Sequence, residues 1–207
     1  MSDRIKKIFD KKNKKLVTFT TGGDPDLETS FEILKKIINN NIDIIEIGMP
    51  FSDPMADGPT IQESSVRSIN SGTKIGDIFD IVRKIRKFNN QVPIILMGYY
   101  NSIFHLGVHN FISKCQSVGV DGLIIVDLQP EEDSDLYIEA REKNIDLIRL
   151  ITPTTDEKRL TTILQNASGF LYYVTVTGVT GQESANLKEL KESISSIKSV
   201  TNLPIIA

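Results

Sequence analysis

Seven short apolar runs recur along the chain. They are LVTFTT (16–21), IDIIEIG (42–48), VPIILMG (92–98), DGLIIVD (121–127), IDLIRLI (145–151), GFLYYVTV (169–176) and LPIIA (203–207). Each is rich in Ile, Val, Leu or Phe and bounded by Gly, Pro, Asp or Asn. That is the pattern of parallel strands covered on both faces. Between them the apolar spacing changes to that of helices. Leu27, Phe31, Leu34 and Ile38 share one helical face. So do Ile75, Ile78, Phe79, Val82 and Ile85, then Val108, Phe111, Ile112, Cys115 and Val118, and later Leu187, Leu190, Ile194 and Ile197. Asp24-Pro25 reads as a helix N-cap with Pro at the first helical position, and Asp156 as the cap of a later helix. The first residues, MSDRIKKIFDKKNKK, read as a short amphipathic helix with Ile5, Ile8 and Phe9 inward.

Strand-helix alternation implies a parallel sheet. No G-x-G-x-x-G follows the first strand, as a dinucleotide-binding sheet would require. Seven strands exceed the usual open sheets and fall one short of the eight-stranded barrel. The expectation is one domain over 1–207: a (β/α)8 TIM barrel carrying strands one to seven, with the eighth strand and its helix missing. A seven-stranded or open sheet is the alternative. Such an unclosed fragment leaves its first and seventh strands as edges and is expected to aggregate.

Composition narrows function mainly by exclusion. Across 207 residues the formal net charge is -3, which gives no electrostatic case for nucleic acid or an acidic membrane. No apolar run is long enough to span a bilayer. The single cysteine, Cys115, cannot form an internal disulfide, so a cytoplasmic setting is expected. His105 and His109 stand four apart but lack an evident third ligand, so no metal site is expected.

Candidate chemistry centres on IIEIGMPFSDPMADG (44–58). Alternation puts Ile44, Glu46 and Gly48 on one strand face and Ile45 and Ile47 on the other, which would meet the helices. Glu46 then points into the barrel near its C-terminal mouth, where barrel enzymes keep their active sites. Burial would raise its pKa and let it both give and take protons. The alternative is a structural carboxylate satisfied by an Arg or a backbone N–H. The next segment, MPFSDPMADGPT, holds three prolines and delivers Asp53 and Asp57 over the mouth. Asp57 could equally serve as a helix cap before Gly58-Pro59.

The stretch EIGMPFSDPMADGPTIQ resembles the signature of the tryptophan synthase α subunit family. FTTGGDPD (19–26), ILMGYYNSIFHLG (95–107), DGLIIVDLQPEE (121–132), LITPTTDEKR (150–159) and GFLYYVTVTGVTG (169–181) resemble that family in order and spacing. The resemblance implies a (β/α)8 barrel and a lyase that cleaves indole-3-glycerol phosphate to indole and glyceraldehyde 3-phosphate. It implies no cofactor on this chain, pyridoxal phosphate being held by a partner β subunit in an α2β2 tetramer. By the same resemblance Glu46 is the acid/base and Asp57 accepts the indole N–H. Tyr172 matches an active-site tyrosine. Phe19, Ile61, Met97, Ile124 and Val174 form an apolar indole pocket. In the loop 177–184, Gly181 offers a phosphate contact and Thr180 reaches Asp57 on closure. Asp127 relays loop position. Pro50 to Pro54 and Tyr99 to His105 are implied to be exposed turns that dock the β subunit, with Phe51, Met55, Tyr100 and Phe104 as apolar contacts.

Two other readings remain at this point. Another phosphate-handling barrel enzyme would share the alternation but not the 46–58 motif, and an indole-ring-closing synthase would need a strand-end lysine that is not seen. A non-catalytic module acting only through its partner would not need both Glu46 and Asp57.

Overall fold

The computed structural model describes residues 1–11, 13–175 and 187–207. Its strands are β1 (Val17–Thr21), β2 (Ile44–Gly48), β3 (Ile94–Gly98), β4 (Gly122–Ile125), β5 (Asp146–Leu147), β6 (Arg149–Ile151), β7 (Leu171–Tyr173) and β8 (Ile205–Ile206). Its helices are α1 (Asp3–Phe9), α2 (Leu27–Asn39), α3 (Pro59–Asn70), α4 (Ile75–Phe88), α5 (Tyr100–Leu106), α6 (Val108–Val118), α7 (Ser134–Glu142), α8 (Glu157–Gln165) and α9 (Leu187–Val200). All paired strands are parallel. They form a five-stranded sheet in the order β1-β2-β3-β4-β5 and a three-stranded sheet in the order β6-β7-β8.

All seven apolar runs carry strand, but the fifth run is split. β5 pairs with β4, and the N–H of Ile148 still donates to Leu123 O. One residue on, Arg149 pairs with Leu171 of β7 instead. The Arg149 guanidinium, on a residue 7% exposed, forms an ion pair with buried Asp133.

Each strand divides its side chains between two cores. Ile45, Ile47, Ile94, Leu96, Leu123 and Ile125 pack outward against α2, α4 and α6. Ile44, Ile95, Met97, Ile124, Leu150 and Tyr172 turn inward to a second cluster. The N-terminal helix joins that inner cluster, with Ile5 fully buried and Phe9 against Phe170 at 5.7 Å between ring centroids. The two periodicities thus separate an inner wall from a helix-covered outer wall.

Two local expectations are corrected. The cap of α2 is Asp26, whose carboxylate accepts from the N–H groups of Glu28 and Thr29. Asp24 instead pairs with Arg67, both contacts at 2.8 Å. Residues from Tyr100 onward are not an exposed turn. They form α5, whose first N–H donates to Asp127 Oδ1 at 2.8 Å, and Ile103 of that helix is buried. Met55 and Phe104 do stand out, 80% and 71% exposed. Asp156 caps α8 as expected, accepting from the N–H of Arg159.

Candidate active site

Strand alternation delivers Glu46 to the inner side of β2, beside Phe19 of β1 and Ile95 of β3. The residue is 2% exposed, and its Oε1 has no hydrogen-bond partner among the described residues. Burial alone pushes its carboxyl up to about 7. A structural carboxylate would be met by an Arg or an N–H group, and among the described residues none donates to this one. A carboxyl balanced near neutrality can both give and take a proton.

Asp57 arrives from the loop that follows β2. Its carboxylate is not spent on capping α3, whose N-cap is Gly58. Asp57 Oδ2 instead accepts from the Tyr99 phenol at 3.0 Å. Burial raises the Asp57 pKa, and the Tyr99 bond opposes the rise. Sequence reading missed Tyr99 altogether. It was assigned to an exposed turn, yet it is 3% exposed. The usable signal was the period of two, which carries Tyr99 onto the same inner face as Ile95 and Met97.

A cleft gathers Phe19, Met49, Asp57, Ile61, Met97, Tyr99 and Val126. The space between them is about 20 Å³, room for one water. An aromatic guest therefore needs these side chains to part. Ile124 and Tyr172 lie in the inner core below, together with Met97. Burial, then the charge of Glu46, push the Tyr172 phenol up, so Tyr172 stands within electrostatic reach of Glu46. Val174 continues past β7, its N–H donating to Ile151 O, and does not line the cleft. Thr180 and Gly181 lie outside the described residues. A larger cavity, about 370 Å³, opens where β4 and β6 part and shares Val126 with the cleft.

The family model for the tryptophan synthase alpha chain matches residues 5–207. The chain belongs to the tryptophan synthase alpha chain family. The tryptophan synthase subunit alpha of Legionella pneumophila str. Paris superposes with a TM-score of 0.89 at 35% identity, over 99% of this chain and 77% of that one. Tryptophan synthase from Mycobacterium tuberculosis gives 0.91 at 28% identity, over 99% and 79%. The tryptophan synthase complex of Pyrococcus furiosus gives 0.82 at 34% identity, over 93% and 76%. The fold is that family's β/α barrel. The chain is a carbon-carbon lyase of tryptophan biosynthesis acting on indole-3-glycerol phosphate.

Within this alpha-chain site, Gly48 sets the position of Phe19. A Cβ added to Gly48 would stand 2.6 Å from Phe19 Cζ and 2.9 Å from its Cε2. Gly48→Ala is therefore expected to push the ring out of the cleft. The loss in kcat/KM for indole release is expected to be on the order of 10²-fold, because small misplacements at a reacting centre have large effects. Overpacking should lower stability by about 1–3 kcal/mol. Steady-state kinetics and thermal unfolding check both, and unchanged kinetics would separate Phe19 from the substrate.

Proposed function

We propose that Glu46 moves the protons and Asp57 holds the developing charge in the cleavage of indole-3-glycerol phosphate to indole and glyceraldehyde 3-phosphate. The observation that carries this reading is the pairing of a buried carboxyl at about 7, without a hydrogen-bond partner among the described residues, with a second carboxylate in an adjoining apolar cleft.

Protonated Glu46 gives its proton to indole C3, and the ring nitrogen takes up positive charge. Ionised Asp57 accepts the indole N–H and stabilises that charge. The bond from C3 to the side-chain carbon then breaks, and its electron pair restores the aromatic ring. The side-chain hydroxyl becomes the aldehyde carbonyl and returns its proton to Glu46. Protons and electrons balance with one carboxyl recycled. The two carboxylates thus play distinct parts set by their surroundings.

Phe19, Ile61 and Met97 would flank the indole, with Ile124 and Tyr172 below them; Val174, given to the pocket by resemblance, stands outside the cleft. Gly181 is assigned a phosphate contact and Thr180 a contact to Asp57. The partner in this reading is a tryptophan synthase β subunit in an α2β2 assembly, which holds pyridoxal phosphate and receives the indole. Complexes among the similar structures support that partner. Exposed Met55 and Phe104 near the mouth supply an apolar surface for it. The reading places the protein in the cytoplasm, which suits one buried free thiol, Cys115.

The deciding assay incubates the protein with indole-3-glycerol phosphate, alone and with β subunit, and measures indole. Asp57→Asn should lower kcat by about 10²-fold. The amide oxygen can still accept the N–H but carries no charge, and losing a single charge-stabilising group has that order of effect. Turnover by the Asn variant equal to wild type would remove Asp57 from the chemistry.

A further inference from the structure

We infer that Tyr99 is the positioning residue for Asp57: its phenol donates to one carboxylate oxygen, favouring the charged form, and determines which of the two oxygens meets the substrate. The inference rests on the role given to Asp57 above and deepens it.

Tyr99 follows β3 directly and is 3% exposed. Its side chain touches the mouth loop at three points. The ring stacks on Phe51 at 5.2 Å between centroids and 23° between planes. The phenol oxygen accepts from the Ala56 N–H at 3.0 Å. The same oxygen donates to Asp57 Oδ2 at 3.0 Å. A stiff segment with Pro50 and Pro54 is thus held near its start and at its end by one residue from the neighbouring strand.

The Ala56 contact fixes the polarity of the arrangement. A backbone N–H can only donate, so the Tyr99 oxygen must accept there. Its own proton is then left for Asp57, and Asp57 must be the acceptor. A donor aimed at a carboxylate favours the charged form. Burial works the other way on Asp57. The phenol therefore opposes the desolvation, which favours a neutral carboxyl unable to stabilise a cation.

The same geometry sorts the two oxygens. Tyr99 occupies Oδ2, while Oδ1 has no hydrogen bond to any described residue. Oδ1 is left for the indole N–H. Among the residues lining the cleft, Asp57 and Tyr99 are the two that titrate. Two further acidic groups bear on them. Asp127, after β4, acts on the Tyr99 phenol, and Glu46 lies on the inner side of β2. Both are negative when ionised, so neither substitutes for the Tyr99 donor.

The test is Tyr99→Phe, which deletes one oxygen and keeps the ring that stacks on Phe51. The expected result is a fall in kcat of about 10- to 100-fold, the range for a hydrogen bond to a charged group, with KM nearly unchanged. The acid limb of the pH-rate profile should move to higher pH. A ¹³C carboxyl titration of Asp57 in the resting protein should move the same way. In an Asp57→Asn background, Tyr99→Phe should cause little further loss, because Tyr99 acts through Asp57. The inference is overturned if the Asp57 titration is the same in both proteins. It is equally overturned if Tyr99→Phe costs as much activity without the carboxylate as with it. The titration needs no substrate. If wild-type protein released no indole, the functional reading would fall while the titration still decided the Tyr99–Asp57 coupling.

Discussion

Glu46→Gln is expected to abolish indole release and, above pH 7, to make the folded protein more stable. The two effects share one cause. Burial holds the Glu46 carboxyl at about 7 against an ordinary 4.5. Between those values the folded chain keeps a proton that the unfolded chain gives up. Stability therefore falls as pH rises from the lower value, and the loss is complete above the higher one. The span from 4.5 to about 7 corresponds to roughly 3 kcal/mol. Gln keeps the volume, stays neutral at every pH and escapes that loss. It also cannot exchange a proton, and removing a general acid/base lowers rates by about 10²–10⁴-fold. Chemical denaturation at pH 5 and pH 8, with indole release beside it, reads both. A Gln variant with the wild-type pH dependence of stability would show that Glu46 is not the titrating group.

The second large effect lies at the opposite end of the barrel. Asp121 → Ala is expected to lower stability by about 3–5 kcal/mol, the range for removing one partner of a buried ion pair. Asp121 is 1% exposed and immediately precedes β4. Its Oδ1 accepts from Ser2 Oγ at 2.6 Å and Arg4 Nη1 at 3.0 Å. Its Oδ2 accepts from Arg86 Nη2 at 2.6 Å and the Ile94 N–H at 2.9 Å. Burial already lowers the Arg86 pKa to about 10, with Asp121 opposing the fall. Without Asp121 that cation stays buried and uncompensated. The contacts of Ser2 and Arg4 that hold α1 beneath the barrel weaken at the same time. Denaturant unfolding measures the loss. Turnover per folded molecule should hold, since residues at the N-terminal strand ends contribute to stability rather than chemistry. A loss under 1 kcal/mol would mean that Arg86 finds another partner.

The strands were legible because their side chains obey a period of two across a wall buried on both sides. Glu46 was legible for the same reason: alternation placed it inside before any contact was known. Its lack of a partner was not, because that depends on which side chains from other strands reach it. The cap at Asp26 was misassigned to Asp24 because both aspartates suit a cap, and the choice is decided by Arg67, far along the chain. The break at Ile148 was hidden because IDLIRLI reads as one continuous run. The change of partner, from β4 to β7 at Arg149, depends on strands far apart in the chain. Tyr99 was lost for a related reason. An aromatic beside a glycine at a strand end suits an exposed docking turn as well as a buried phenol, and the Ala56 N–H that settles the matter arrives from another loop.

The division of the fifth strand makes the barrel wall two slabs with a seam between them. Glu46, Asp57, Phe19 and Tyr99 all belong to the slab built on β1 to β5, while Tyr172 comes from the slab built on β6 to β8. The proton-handling groups thus all stand on one sheet or on the loops that follow its strands. A shift at the seam would leave the distance between the two carboxylates unchanged and alter only what faces them from across the barrel. Chemistry and most of the indole contacts thus share one frame, and the Tyr172 side alone faces them from the other.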